Sequence, residues 1–261
     1  MQVAGSDVLR VDRSVGGSVL HGPIHHNAAM RTTSTIAGST CTALAALALG
    51  VSLLAAEFSA FALADAEQVT SRPTFAPQSL DKEWTLDGTG IWALRDGLLA
   101  LVTAGKPGGP IRRPSAVALV NGPNLTDTTF EVEVRSTAAL PPVTPRRDAL
   151  LVAAYQSPTR FYYVHLSAAR DDVHNGIFLV NDADRRRIDS RSEIAPLVDQ
   201  EWHRVRLVRT AATGRLEVHV DERTEPIMIA TDKTLGWGRV GVGSFDDTAE
   251  FRHVVVTGTK K

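Results

Sequence analysis

The chain has 261 residues, with 28 Lys or Arg against 29 Asp or Glu, and its formal net charge at pH 7 is −1. A balance this even argues against a nucleic-acid partner, because contact with a phosphate backbone calls for a basic stripe. The single cysteine, Cys41, excludes a disulfide framework within the chain.

The first 64 residues are typical of an export signal. Residues 43–56 form an uncharged apolar run, long enough for the core of a signal peptide but short for a bilayer span. The small residues 62–64 predict cleavage at the end of that triplet, so the signal peptide covers 1–64, with Met30 as an alternative start. We therefore expect a secreted or periplasmic protein. An uncleaved anchor over 41–64 is the alternative, and only then would a membrane be a partner.

Removal of residues 1–64 from a chain of 261 leaves 197 residues and no cysteine. A chain of this length forms one ordinary domain with a sizeable core. We expect its stability outside the cytoplasm to come from that core alone, since disulfides and cysteine-based metal sites are excluded.

The predicted elements are strands throughout. Residues 65–83 are expected to form an extended lead-in, and the first hairpin covers 91–102, where Asp96-Gly97 is a preferred tight-turn pair between apolar arms. Further predicted strands cover 116–120, 128–135, 150–155, 161–166, 176–180 and 186–189. The tail, 201–258, continues with short apolar or alternating strands cut by turns, and no segment shows a long helical period.

This spacing predicts an all-β chain of about a dozen strands folded as a two-sheet antiparallel sandwich. Trp202 and Phe251 are predicted to fill the core between the sheets. Gly241 and Gly243 are predicted to allow close sheet packing, since no helix follows them as a nucleotide-binding loop would require. The basic triplet 185–187 is predicted to be a solvated strand edge.

Four segments of the tail carry a family resemblance: 202–207, 214–221, 238–247 and Phe251. They resemble the last strands of the concanavalin A-like lectin and glucanase superfamily, in particular its laminin G-like branch. The segment with Trp84, Trp92 and Asp96-Gly97-Leu98 is similar to secreted 3-keto-disaccharide hydrolase-like or family 16 glycoside hydrolase-like domains. The resemblance implies a jelly-roll sandwich over 84–258, followed by a tail at 259–261.

The resemblance leaves the activity open, because this fold hosts lectins, glucanases and adhesion modules. Family 16 enzymes carry two Glu separated by an Asp on one strand. The nearest match is Glu217, His219 and Asp221, whose ends lie about 13 Å apart along a strand, whereas retaining hydrolysis needs carboxyl groups about 5 Å apart. We interpret this face as solvated and do not transfer the family 16 activity.

Residues 161–176 hold the better candidate site. Tyr163 and His165 share one strand face, and the turn that follows supplies further polar side chains suited to sugar hydroxyls. The predicted catalytic residues are Asp171, Asp172 and His165, and the predicted ligand-binding residues are Tyr163, His174, Asn175 and Arg170. The alternative is a hydrated hairpin loop with Tyr163 and His165 packed at the sheet edge.

A calcium ion is the one cofactor that the sequence suggests. Asp246 and Asp247 are adjacent acids in a predicted turn, and calcium in sandwich loops uses such carboxylates together with backbone carbonyls. Adjacent acids are also ordinary turn formers, so no metal site is firm.

Three functions remain open. An exported carbohydrate-handling enzyme, glycoside hydrolase-like if active, would show a deep cleft with carboxylates. A noncatalytic glycan-binding module would show a shallow groove with exposed aromatic rings. A structural or adhesion sandwich would show flat faces with no polar concavity.

Overall fold

The computed structural model describes residues 66–192 and 194–261, and the predicted signal segment 1–64 lies outside the described residues. The regular secondary structure of the described chain is almost entirely β-strand, apart from a 3-10 turn at Pro77–Ser79 and a single helical turn, α1, at Leu80–Glu83. None of the helical segments in the described part is long and apolar enough to cross a membrane. The strands are β1 Gln68–Ser71, β2 Trp84–Gly88, β3 Ile91–Arg95, β4 Leu98–Thr103, β5 Ala116–Val120, β6 Leu125–Ser136, β7 Asp148–Ser157, β8 Arg160–Ser167, β9 Gly176–Asn181, β10 Arg186–Arg187, β11 Asp189–Ser192, β12 His203–Thr210, β13 Arg215–Val220, β14 Met228–Thr231, β15 Arg239–Ser244 and β16 Ala249–Lys260.

These strands form two antiparallel sheets. One has nine strands in the order β11-β14-β13-β12-β6-β16-β4-β3, with β1 added beside β16. The other has seven strands in the order β10-β9-β8-β7-β15-β5-β2. The all-β, two-sheet antiparallel jelly-roll sandwich predicted from the sequence is therefore confirmed.

The sandwich takes in parts of both predicted flanks. Strand β1 lies inside the predicted lead-in and pairs with the last strand, with Gln68 opposite Thr259. Strand β16 continues to Lys260, through the predicted tail. Pairing between the two ends satisfies the backbone hydrogen bonds of both flanks. This long-range pairing within the chain leaves no periodic signal in either short segment.

The core between the sheets follows the predicted alternation. Phe130, Val132 and Val134 of β6 point inward, and Phe251 of β16 is fully buried against Trp92. The prediction that Trp202 fills the core is wrong. Trp202 lies on the outer side of the nine-stranded sheet, together with Arg204 and Arg206. There its ring packs against the guanidinium groups of Arg135 and Arg252, at 4.7 and 4.1 Å.

The seven-stranded sheet is apolar on both faces. Its inner face meets the other sheet, and its outer face forms a second core that is at most 6% exposed: Val117, Leu119, Leu150, Val152, Tyr155, Phe161, Tyr163, Phe178, Val180 and Phe245. Residues 104–114, which we call the cover loop, lie over part of this second core, where Ile111 packs against it. The loop is held by a salt bridge from Arg113 to Asp87, whose carboxylate also accepts a hydrogen bond from Tyr155. Much of the outer face is thus closed to a ligand.

Glycine is needed where β15 packs against β5, its neighbour within one sheet, and not between the two sheets. A Cβ at Gly241 would lie 2.3 Å from the carbonyl oxygen of Ala118, whereas a Cβ at Gly122 would meet nothing within 4 Å. We expect Gly241→Ala to lower the free energy of unfolding by about 2 kcal/mol, the usual range for an overpacked core. The matched control Gly122→Ala should change it by less than about 0.5 kcal/mol. Urea denaturation measures both values, and equal effects of the two substitutions would contradict the close strand packing.

Candidate functional site

A pocket of about 490 Å³ opens at one end of the seven-stranded sheet. The lining comes from the cover loop, the segment before β7, the first residue of β7, the strand β8, and the turns after β8, β9 and β15. The lining residues are Arg112, Val143, Thr144, Pro145, Arg146, Asp148, His165, Val173, His174, Arg185, Phe245, Asp246 and Asp247. Strand register explains why these residues meet. Leu150 lies opposite both Gly243 and His165. Asp148, two residues earlier on the same face of β7, therefore falls beside Phe245 and His165 at the sheet end.

Asp148 is the buried centre of this site. Its carboxylate accepts hydrogen bonds from the Ser244 hydroxyl at 2.7 Å and from the backbone N–H groups of Phe245 and Asp247 at 2.8 and 3.2 Å. Burial alone would raise the pKa of Asp148, but the interaction with His165 and these hydrogen bonds outweigh burial and lower it. Asp148 is therefore ionised in the folded protein at neutral pH. Sequence reasoning missed this residue, because it follows a Pro-rich connection and shows no pattern of its own.

Asp247 has the opposite electrostatic character. Burial raises the pKa of Asp247 to about 6, and the charge of Asp148 adds to the effect. One of its oxygens accepts the backbone N–H of Asp148 at 2.9 Å. Two neighbouring carboxyl groups with pKa values pushed apart are a common arrangement in acid–base sites.

Two imidazoles form another wall of the pocket. His165 is buried, with Nδ1 3.1 Å from the Val173 carbonyl and Nε2 3.3 Å from Asp148 Oδ2, at ion-pair distance but outside hydrogen-bond geometry. His174 lies beside it, with ring centroids 5.1 Å apart. The Nδ1 of His174 is 2.7 Å from Asp171 Oδ1.

Burial and the pairing with Asp171 act in opposite directions on the protonation of His174. Burial lowers the pKa of His174, and the charges of His165 and Arg146 lower it further, against the opposing contact with Asp171. The imidazole is therefore neutral at neutral pH. With Nδ1–H donated to Asp171, the Nε2 lone pair is left to accept a proton or a hydrogen bond. Among the sequence candidates, Asp171 thus positions His174.

The remaining sequence candidates lie below or beside the pocket. Tyr163 is fully buried and stacked on Phe178, with centroids 5.1 Å apart, so it supports the pocket from beneath. Asn175 is fully buried and its amide donates to the carbonyl of Ile194. Asp172 and Arg170 are exposed and stand outside the lining. The sequence had placed all four in catalytic or ligand-binding roles, and the geometry gives none of them a contact with the cavity.

The basic triplet 185–187 does more than form the predicted solvated strand edge. Arg186 and Arg187 form β10 at the edge of the seven-stranded sheet, where a strand edge was expected. Arg187, however, pairs with Asp189 at 2.7 Å and donates to the carbonyls of Asp171 and Asn175, which fixes the turn after β8. Arg185 lines the pocket. Arg186, in contrast, pairs with Asp232 outside the cavity.

Asp148, Asp246 and Asp247 approach each other closely, with one ligand oxygen from each within 4.8 Å of the others. Oxygen ligands of this kind suit calcium. The oxygens of Asp148 are already engaged by three hydrogen bonds, and three arginines line the same cavity. The calcium site at Asp246 and Asp247 stays a prediction.

Comparisons with known proteins concern architecture alone. No protein-family model matches the chain, and no curated protein matches it. Among solved structures, the chain is similar to the carbohydrate binding module CBM66 from Bacillus subtilis, with 17% identity, a TM-score of 0.49, and coverage of 66% of this chain and 93% of that one. It is also similar to Lectin I from Ulex europaeus, with 14% identity, a TM-score of 0.47, and coverage of 74% and 98%. Likeness at this level carries no argument about the ligand, which has to come from the pocket.

The raised pKa of Asp247 can be measured directly. A carboxyl ¹³C NMR titration is expected to give a midpoint near 6 in place of the usual 3.8. Because the folded pKa lies above the unfolded one, the protonated group stabilises the fold below about pH 4, and this stabilisation is lost as the pH rises to about 6. Asp246→Asn should lower the midpoint, since the charge of Asp246 contributes to it, and the exposed control Asp172→Asn should not. A wild-type midpoint below 4.5 would contradict the assignment.

Proposed function

We propose that the protein is an exported carbohydrate-handling domain that binds a small saccharide, or the end of a glycan, in the pocket at Asp148. The observation that carries this proposal is the convergence of imidazole, carboxyl and guanidinium groups around one cavity of about 490 Å³. This volume falls in the usual range for small-molecule sites, about 300–1,000 Å³. Export is supported by the signal-like character of residues 1–64.

The chemistry of the lining suits hydroxyl groups. Asp246 and Asp247 offer carboxyl oxygens that accept from vicinal hydroxyls, and His174 offers the unpaired Nε2 as another acceptor. Val143 and Val173 supply apolar surface at the rim, both more than a third exposed. A mixture of acceptors and small apolar patches matches the two kinds of surface on a sugar ring.

The shape of the pocket limits the size of the ligand. The cover loop and the second core occupy the outer face of the sheet, so no long groove runs across it. The ligand therefore enters at the sheet end, where only a few sugar units fit.

Hydrolysis is the second candidate function, and the raised pKa of Asp247 favours it. In that mechanism Asp247 gives its proton to the glycosidic oxygen as the bond to the anomeric carbon breaks. Neutral His174 takes a proton from the water whose oxygen joins the anomeric carbon. The proton then returns from His174 to Asp247, which restores both groups.

Binding is tested first. Isothermal titration with mono- and disaccharides, chosen from a glycan array, should show saturable binding. His174→Ala and Asp246→Asn are expected to weaken it by about tenfold or more, because each removes an acceptor from the cavity. The control His253→Ala alters an exposed imidazole paired with Glu133 away from the pocket and should leave binding unchanged. Absence of binding to every glycan, or equal loss in the control, would contradict the proposal.

Hydrolysis is tested separately on any sugar that binds. Asp247→Asn should lower turnover by about a hundredfold or more, the usual contribution of a general acid, while binding persists. Turnover should also fall as the pH rises above about 6, since Asp247 must be protonated to act. Binding without turnover by the wild-type protein would contradict the hydrolase function and support a noncatalytic glycan-binding module.

A further inference from the structure

We infer that the saccharide bound in this pocket carries an acidic group, a uronate carboxylate or a sulfate ester, held by Arg112, Arg146 and Arg185. The inference rests on the proposed carbohydrate function and names the ligand class of the same site. Its basis is that these three side chains line the same cavity as Asp246 and Asp247.

The three guanidinium groups form no ion pair with an acidic side chain among the residues that the structure describes. In the described part of the chain, none of them has a carboxylate oxygen within ion-pair distance, although most other arginines there have one. Three like charges gathered at one cavity repel each other, and a bound anion relieves that repulsion. Within the described residues, Arg206 and Arg223 also form no ion pair, so what distinguishes Arg112, Arg146 and Arg185 is that they line one cavity.

Two of the arginines are held in place by aromatic rings. The guanidinium carbons of Arg112 and Arg185 lie 5.2 and 4.5 Å from the ring centre of Phe245. Arg185 also donates to the Tyr163 hydroxyl at 3.2 Å. Cation–π contacts of this kind fix the plane of the guanidinium and leave its edge N–H groups for a ligand.

Backbone hydrogen bonds couple the segments that carry the arginines. The N–H of Arg185 donates to the carbonyl of Arg112 at 3.2 Å, and the N–H of Arg112 donates to Asp184. The carbonyl of Arg146 accepts from Ala168 and from the hydroxyl of Ser167, so β8 fixes its backbone. The backbones that carry the three arginines, and the guanidinium groups of Arg112 and Arg185, are thus held in place before any ligand binds, which lowers the entropic cost of binding.

The carboxyl groups of Asp246 and Asp247 in the same cavity favour an acidic sugar over a free anion. Asp246 and Asp247 would repel a small inorganic anion, but their oxygens accept hydroxyl protons. A sugar acid presents its anionic group to the arginines and its hydroxyl groups to the carboxyls. The guanidinium fork matches the two oxygens of a carboxylate or sulfate in a bidentate contact.

The test compares matched sugars with and without the acid. Isothermal titration at low salt would use glucuronate against glucose, galacturonate against galactose, and galactose 6-sulfate as the sulfate arm. The acidic sugar of a pair should bind about tenfold or more tighter, and this advantage should shrink in 0.5 M NaCl. The variant Arg112→Gln/Arg146→Gln should bring the acidic sugar to the affinity of the neutral one. Arg186→Gln is the control, since Arg186 pairs with Asp232 outside the cavity and is 63% exposed.

The outcomes separate the two proposals. Equal binding of acidic and neutral sugars, unchanged in Arg112→Gln/Arg146→Gln, would overturn the acidic-ligand inference and leave carbohydrate binding intact. Binding of acetate or inorganic sulfate alone, with no sugar bound, would overturn the carbohydrate function. Preference for either the uronate or the sulfated sugar supports the inference and identifies the acidic group. Retention of wild-type circular dichroism by the variants shows that any loss of binding is local.

Discussion

The buried carboxylate of Asp148 is the constraint on which the pocket depends. It begins β7 and gathers the end of β15 through Ser244, Phe245 and Asp247. A buried charge without such donors would cost several kcal/mol, so the turn after β15 has to close around it. That closure presents Asp246 and Asp247 to the cavity and sets Phe245 against His165, with ring centroids 5.4 Å apart. The same charge then raises the pKa of Asp247, so a structural group also sets the chemistry of its neighbour.

The strands could be predicted because their signals are local. Asp96-Gly97 adopts positive φ angles of 52° and 73°, as its turn requires, and β5 has the predicted bounds 116–120. Apolar alternation placed Phe130, Val132 and Val134 in the core. Trp202 shows the limit of that reasoning. Size and apolarity favour burial of tryptophan, but the strand's parity places it outside, where two arginines stack on its ring.

The site could be predicted only in part, because it is assembled by long-range pairing. His165 and His174 were found from a polar turn beside an aromatic strand, and both line the cavity. Asp148 contacts Ser244 and Phe245, which lie 96 and 97 residues away, and no single-sequence pattern signals such a pair. Arg112 and Arg146 lie in loops that read as ordinary polar connections. Acidic and basic residues of a loop acquire a function only when the register of the sheet fixes what they face.

The two-sided burial of the seven-stranded sheet explains why the pocket lies at its end. An antiparallel sheet usually leaves one face to solvent, and a ligand can then bind across it. Here Tyr163, Phe178 and their neighbours fill that face as a second core, and Ile111 of the cover loop closes part of it. Among the described residues of this sheet, the space for a ligand lies where the strands stop and the loops begin. Asp148 is therefore fixed by a strand and the tight turn bound to it, while Arg112, Arg146 and Arg185 lie in loops. Loops tolerate substitution better than strands do, so the charge of the bound group is the property of this site that can change without disturbing Asp148.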